Sequence, residues 1–287
     1  MTRLLPHFWW LLRRAFVATY EDGCLGTAKG AAYSALLAFF PVLTCVATIL
    51  VQANAEEASN VIATFLFEVV PPGTQGLVLY GFRARGEQPF ALLVIASLVS
   101  LWAASGFAAS LMEGFDAAYH VPQSRPVIRQ RMVAALLVLL AVLPSVGASL
   151  LVLFGSRTEE MALRWLGLVS GTEQLRGWVR WLGGVLRFGI ALGTSVIVAA
   201  LMYFIGPNRL RKKLRHAWPG AVVATVLWFA ATSAFVWYVR NLARYNVLYG
   251  SIATAIALLV WMYLLALIAL FGCEFNAERD RLQEATR

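Results

Sequence analysis

Three groups of residues have types and spacings that could support chemistry. Arg187 interrupts an apolar run, and at helical spacing it shares a face with Gly183, Gly184, Ala191, Thr194 and Ser195. A guanidinium on such a small, polar strip faces protein or water rather than lipid, and it suits an anionic head group. Arg187, Ser105 and Thr194 are therefore the expected substrate-binding set. A structural reading, in which Arg187 snorkels out to the interface, stands beside it.

The second group is Ser105, Ala109, Glu113, Asp116 and His120, which fall near one face of a single helix. An imidazole beside two carboxylates could titrate near neutral pH, so Glu113, Asp116 and His120 form the expected gate. The plainer alternative pairs the two acids with Arg129, Arg131 or the cations between Arg209 and Arg215. The third group is Glu274 and Glu278, an i, i+4 pair with Asn276 between them. Paired carboxylates need a cleft and further convergent polar groups to become catalytic, and none converges in the sequence.

Familiar catalytic signatures are missing. His7, His120 and His216 make no HxH or HExxH arrangement, and neither a phosphate-binding G-x-x-x-x-G-K-[ST] loop nor a G-x-S-x-G elbow occurs. Cys24, Cys45 and Cys273 are too scattered for a zinc site and are expected to be free thiols. The chain is read as a non-enzyme with no catalytic residues, no metal and no cofactor.

The elements that must position these groups are long apolar segments. Of the 287 residues, 60% are hydrophobic and 14% charged, and the mean hydropathy is +0.70. A soluble domain would carry about a quarter charged residues. The apolar runs are Gly30 to Val51, Pro89 to Ser110, Met132 to Phe154, Leu182 to Ile205, Ala217 to Val239 and Leu248 to Gly272. Each supplies the roughly 20 residues that a helix needs to cross hydrocarbon. They are apolar on all faces, which disfavours the alternating pattern of a barrel. The expected fold is all-α: a polytopic membrane helix bundle with six transmembrane helices plus short interfacial helices. It forms a single membrane domain over 1–287, with an amphipathic segment at 1–29, the bundle at 30–272 and a tail at 273–287.

Charge sets the expected orientation. Arg3, Arg13, Arg14 and Lys29 precede the first run, Arg125, Arg129 and Arg131 lie between the second and third, and Arg209, Arg211, Lys212, Lys213 and Arg215 between the fourth and fifth. These segments and the tail outweigh the alternate loops in cations, which places them and both termini in the cytoplasm. No cleaved signal peptide is expected. The net charge of +9 is explained by this topology and by anionic lipid head groups rather than by nucleic acid. The expected partners are thus membrane lipids, with no nucleic acid and the oligomeric state open.

Smaller features complete the picture. Leu4 to Tyr20 reads as an interfacial amphipathic helix, and Val61, Ile62, Phe65, Leu66 and Val69 as another in the first outer loop. Gly26 and Gly30 make a GxxxG pair of low specificity. Pro41 and Pro144 should bend their spans, and the carbonyls they free could line a polar cavity.

The chain resembles the bacterial YihY/BrkB family of inner-membrane proteins over most of its length. The most specific segments are Tyr245-Asn246-Val247-Leu248-Tyr249-Gly250-Ser251 and Gly272-Cys273-Glu274-Phe275-Asn276-Ala277-Glu278, similar to that family's Y-N-x-x-Y-G-S and G-x-E-x-N-A-E signatures. Supporting segments are Ala31 to Pro41, Gly206-Pro207-Asn208-Arg209 and Ala217-Trp218-Pro219-Gly220-Ala221. The resemblance implies a six-helix membrane fold and marks Tyr245, Asn246, Tyr249, Gly250, Ser251, Glu274, Asn276 and Glu278 as motif residues. It also implies a role as transporter or translocator of a lipid or an anionic envelope precursor. The alternative is a non-catalytic scaffold for envelope assembly or resistance. An older ribonuclease label attached to the family meets no metal-nuclease constellation in these residues.

Overall fold

The computed structural model describes residues 4–52, 90–122, 125–165, 173–209, 214–241 and 250–285. They contain α1 (Leu4–Glu21), α2 (Cys24–Gln52), α3 (Phe90–Ala118), α4 (Val127–Trp165), α5 (Glu173–Ile205), α6 (Leu214–Asn241) and α7 (Gly250–Ala285), and no strand. Lipid explains this economy, because a helix satisfies its own backbone N–H and C=O groups where no water can.

Helices α2 to α7 take up the six apolar runs in order. Among the described residues, Val94–Ala118, Val127–Ala148, Trp181–Ile205, Leu214–Tyr238 and Ala255–Ala285 are long and apolar enough to cross a membrane. The first run lies in α2, whose 29 residues extend about 43 Å at a rise of about 1.5 Å each. The protein is therefore a multi-pass membrane bundle. The segment read as a tail continues α7 as a helix to Ala285. The expected interfacial helix around Val61–Val69 lies outside the described residues, as do Tyr245, Asn246 and Tyr249.

Consecutive helices are neighbours from α2 round to α7, and α7 packs back on α2, so the six helices close a circuit. Two further contacts involve α7: α3 meets it across the circuit, and α1 lies along it from outside. Helix α1 seats Ala15, Ala18 and Thr19 against the bundle and stacks Phe8 edge-on to Phe275. Its Trp9, Phe16 and Tyr20 stay exposed, the two-sided pattern expected of it.

The core sits at one end of the circuit. Cys24, Ala28 and Ala31 of α2, Leu111, Met112 and Phe115 of α3, Ala134 and Leu137 of α4, Ala200 and Tyr203 of α5, Ala217 to Ala224 of α6 and Ala266 to Ala277 of α7 supply its buried members. All lie towards the ends of their helices that adjoin the α1–α2, α3–α4 and α5–α6 connections. This is the charged end. Towards the other end α5 has no buried side chain between Trp181 and Ile190.

Two details differ from the pattern of small residues and prolines. Gly26 and Gly30 both face open space, so the GxxxG pair mediates no close helix approach. Tight contacts occur instead at Gly220 and Gly272. At Pro41 the carbonyl accepts a bond from the Ser100 hydroxyl at 2.6 Å, which ties α2 to α3. That carbonyl serves helix pairing.

Candidate functional site

The charged end is organised by the last two apolar turns of α7 and the polar turns that follow. Gly220 of α6 and Gly272 of α7 meet backbone to backbone: a Cβ on Gly220 would strike the Gly272 carbonyl, and one on Gly272 would strike the Tyr203 hydroxyl and come within 2.7 Å of Ala224. Only hydrogen fits at either position. Tyr203 completes the crossing by donating its hydroxyl to the Ala269 carbonyl at 2.7 Å while its ring stands edge-on to Phe115, 5.4 Å away.

Next to this crossing Pro219 lies in the second turn of α6, where it offers no N–H of its own. Asn276 reaches the same turn from α7. Its Oδ1 accepts the Gly220 N–H at 2.7 Å and its Nδ2 donates to the Ala217 carbonyl at 3.0 Å, so a side chain of α7 bonds the backbone of α6 directly. The amide is fully buried, where an unmet polar group would be costly.

Around this centre, charged groups bind the helix ends together. Asp280 of α7 accepts from Arg209 at 3.0 Å and lies 2.7 Å from His216 Nδ1 of α6. The Arg209 guanidinium also lies over the Tyr119 ring, 3.7 Å from its centroid. Arg125 caps α5 by donating to the carbonyls of Ile205, Gly206 and Pro207 at 3.0, 2.6 and 3.3 Å. A cation suits the negative end of the helix dipole, and these carbonyls have no partners within the helix. Asp116 accepts the Asn208 N–H at 2.6 Å, adding α3 to the same junction.

The remaining corner joins the α1–α2 turn to α3 and α7. Gly23, at φ +68°, lets the chain reverse between α1 and α2. His120 adopts φ 49° at the end of α3, where Val121 N–H bonds to the Asp116 carbonyl and His120 N–H to the Ala117 carbonyl. That is the Schellman arrangement, with histidine where glycine is usual. His120 Nε2 lies 3.1 Å from Asp22 Oδ1. Arg281 lies 3.2 Å from the same ring, donates to the Ala118 carbonyl at 2.8 Å and pairs with Glu278, which also meets Arg14 of α1 at 3.5 Å. Glu274 is fully buried and accepts the Cys24 thiol at 3.4 Å, while its second oxygen and Asp22 Oδ2 are buried without a hydrogen-bond partner. Burial first, and then the Glu274 charge, push the Cys24 thiol well above its ordinary range, so it remains an S–H donor.

The expected gate residues part company here. Glu113 is exposed and accepts from Gln130 of α4 at 3.3 Å, Asp116 turns to Asn208, and His120 turns to Asp22 and Arg281. Of the expected substrate set, Ser105 is buried with its hydroxyl on the Trp102 carbonyl of its own helix at 2.7 Å. Arg187 is half-buried and donates Nε to the Gly183 carbonyl at 3.3 Å. Thr194 is also half-buried, two turns further along α5. The motif residues divide likewise: Glu274, Asn276 and Glu278 converge on the junction, whereas Gly250 and Ser251 open α7 at the opposite end.

Sequence reasoning did not single out Asp22, Arg125, Asp280 or Arg281. Cation-rich helix ends pointed to Arg125 as a topology signal, but nothing local announced its cap. All three cysteines are free thiols. Among the described residues, no three His, Cys, Asp or Glu side chains are grouped so as to hold a metal ion.

Comparison with known proteins gives the junction a context. A family model described as "Virulence factor BrkB" matches residues 15–287. The ribonuclease-like protein YfkH of Bacillus subtilis is 29% identical over 255 residues, covering 88% of this chain and 89% of that one. A UPF0761 membrane protein of Alkalilimnicola ehrlichii is 28% identical over 260 residues, covering 89% of this chain, and one of Chromobacterium violaceum 28% over 247 residues, covering 85%. The chain spans 55% and 56% of the lengths of those two relatives. No solved structure matches it.

Proposed function

The chain belongs to the Virulence factor BrkB family, and on that premise we propose that it translocates a lipid or another anionic envelope precursor across the bacterial inner membrane. Its charged end faces the cytoplasm in this reading, because Arg14, Arg125, Arg129, Arg131, Arg209 and Arg215 gather there. Catalysis forms no part of the role: the charged side chains of the junction are spent on one another and on backbone carbonyls.

The observation that carries the reading is the placement of Arg187. It is a half-buried cation on a stretch of α5 without buried side chains, beyond the packed core. An ionisable group at membrane depth is costly unless it meets a partner or water, so such a residue marks a pathway more readily than a structural contact. Its guanidinium could receive a phosphate or carboxylate head group while the acyl part stays in lipid. The packed junction then closes the cytoplasmic side.

The test is movement of a fluorescent anionic lipid between the leaflets of liposomes holding the purified protein, compared with empty liposomes and with Arg187→Ala. Movement faster than in empty liposomes, and lost in Arg187→Ala, is the expected result. Wild-type rates equal to those of empty liposomes, with and without an imposed ion gradient, would overturn lipid translocation and leave the scaffold role.

A further inference from the structure

We propose that Asp22 and Glu274 form a proton-binding site: the two carboxyl groups hold one proton between them and thereby dock the α1–α2 turn on α7. The argument starts from what each oxygen touches. Asp22 Oδ1 lies 3.1 Å from His120 Nε2, and Glu274 Oε1 accepts the Cys24 thiol at 3.4 Å. Asp22 stands two positions before Cys24, whose thiol bonds Glu274, so the two carboxyl groups share one corner of the fold. Asp22 Oδ2 and Glu274 Oε2 are both buried there with no hydrogen-bond partner.

Two ionised carboxylates cannot satisfy these buried oxygens for each other, because each is an acceptor only. One proton changes the accounting. The protonated carboxyl donates an O–H to its neighbour, and the pair carries a single negative charge, the arrangement that like charges in contact are known to favour. Glu274 is fully buried, so water cannot satisfy its second oxygen in place of the proton.

The surroundings set the charge that remains. From α1 come Arg14 and Glu21, which pair with each other, and Arg14 also meets Glu278. From α2 comes the Cys24 thiol, from the end of α3 His120, and from α7 Cys273, Glu278 and Arg281. Arg281 is engaged by Glu278, the Ala118 carbonyl and the His120 ring. Its charge favours one anion at the pair, while burial and the neighbouring acid oppose a second. The proton comes from the aqueous phase at the charged end and returns there; no other bond is made or broken.

Release of that proton would leave two anions in contact and push the turn off α7. A proton held by the folded protein and not by the unfolded chain stabilises the fold, and that stability falls as pH rises through its release. The site stands apart from lipid movement and is tested without it.

The measurement is infrared spectroscopy of the purified protein about two pH units above the ordinary carboxylate range, where other exposed acids are ionised. The expected result is a protonated-carboxyl C=O band in wild type that is lost in both Glu274→Gln and Asp22→Asn and kept in Glu278→Gln. Either amide variant retains a donor for its partner, so the turn should remain docked. Melting of wild type should drop as pH is raised further, whereas Glu274→Gln should show a flatter profile. No band in wild type, or a band that survives both substitutions, overturns the proposal. If one amide variant does not fold, the wild-type band together with the other variant decides the matter on the same terms.

Discussion

Between Gly272 and Glu278, two turns of α7 touch α6, α2 and α1, and every polar side chain among them is engaged by another helix. Between Trp181 and Ile190, a stretch of α5 of comparable length has no fully buried side chain, and its one charged group, Arg187, is half-buried and donates to a carbonyl of its own helix. The first region is held by close backbone approach and completed polar pairs. The second is held by its surroundings and by helix propensity. The difference locates specificity: the charged end defines how the helices meet, and the far half is free to accept variation and, in the proposed role, a substrate.

Substitutions can be chosen to break that contrast. The largest effect is expected from Gly272→Leu, which puts a side chain into the Tyr203 hydroxyl, Ala224 and the Gly220 carbonyl; the folded, monodisperse fraction on size exclusion should be lost. A Cβ at Gly189 meets nothing within 4 Å, so Gly189→Leu should give wild-type elution. A similar loss at both glycines would erase the distinction between the two regions.

Asn276→Ala comes next. It removes two buried bonds, to the Gly220 N–H and the Ala217 carbonyl, and a cost of about 3 kcal/mol is expected, read as a lower thermal midpoint in detergent. Arg125→Ala uncovers three carbonyls at the end of α5, at a cost of about 2 kcal/mol by the same assay, with Arg125→Lys in between. Arg187→Ala should change stability by less than about 0.5 kcal/mol, as for substitutions away from packed features. A large loss of stability in that variant would make Arg187 a structural group and weaken the translocation reading.

The six spans were legible because hydrocarbon imposes a length and a composition that few other constraints imitate. The charged end was legible from the distribution of Lys and Arg. Glu113, Asp116 and His120 were expected near one helix face, but α3 ends at Ala118 before His120, and helical spacing says nothing about which neighbour each side chain meets: they meet three different ones. Asn276 shows the limit most clearly. Its partners, Ala217 and Gly220, lie in another helix, so no window around Asn276 contains the explanation. The same holds for Asp22 and Glu274, near opposite ends of the chain. Gly26 and Gly30 had the spacing of a packing motif without a partner helix to meet, whereas Gly220 and Gly272 pack tightly with no motif between them.

The closing of the circuit by α7 bears on biosynthesis. Cys24 and Glu274 are separated by 250 positions, so the ribosome delivers the first helix pair long before the helix that completes its polar contacts. Until α7 enters the membrane, Cys24 lacks its carboxyl partner and α6 lacks the amide that bonds Gly220 and Ala217. Helices α1 to α6 can be inserted in succession, but the charged end can be finished only in one late step, with α7 as the keystone.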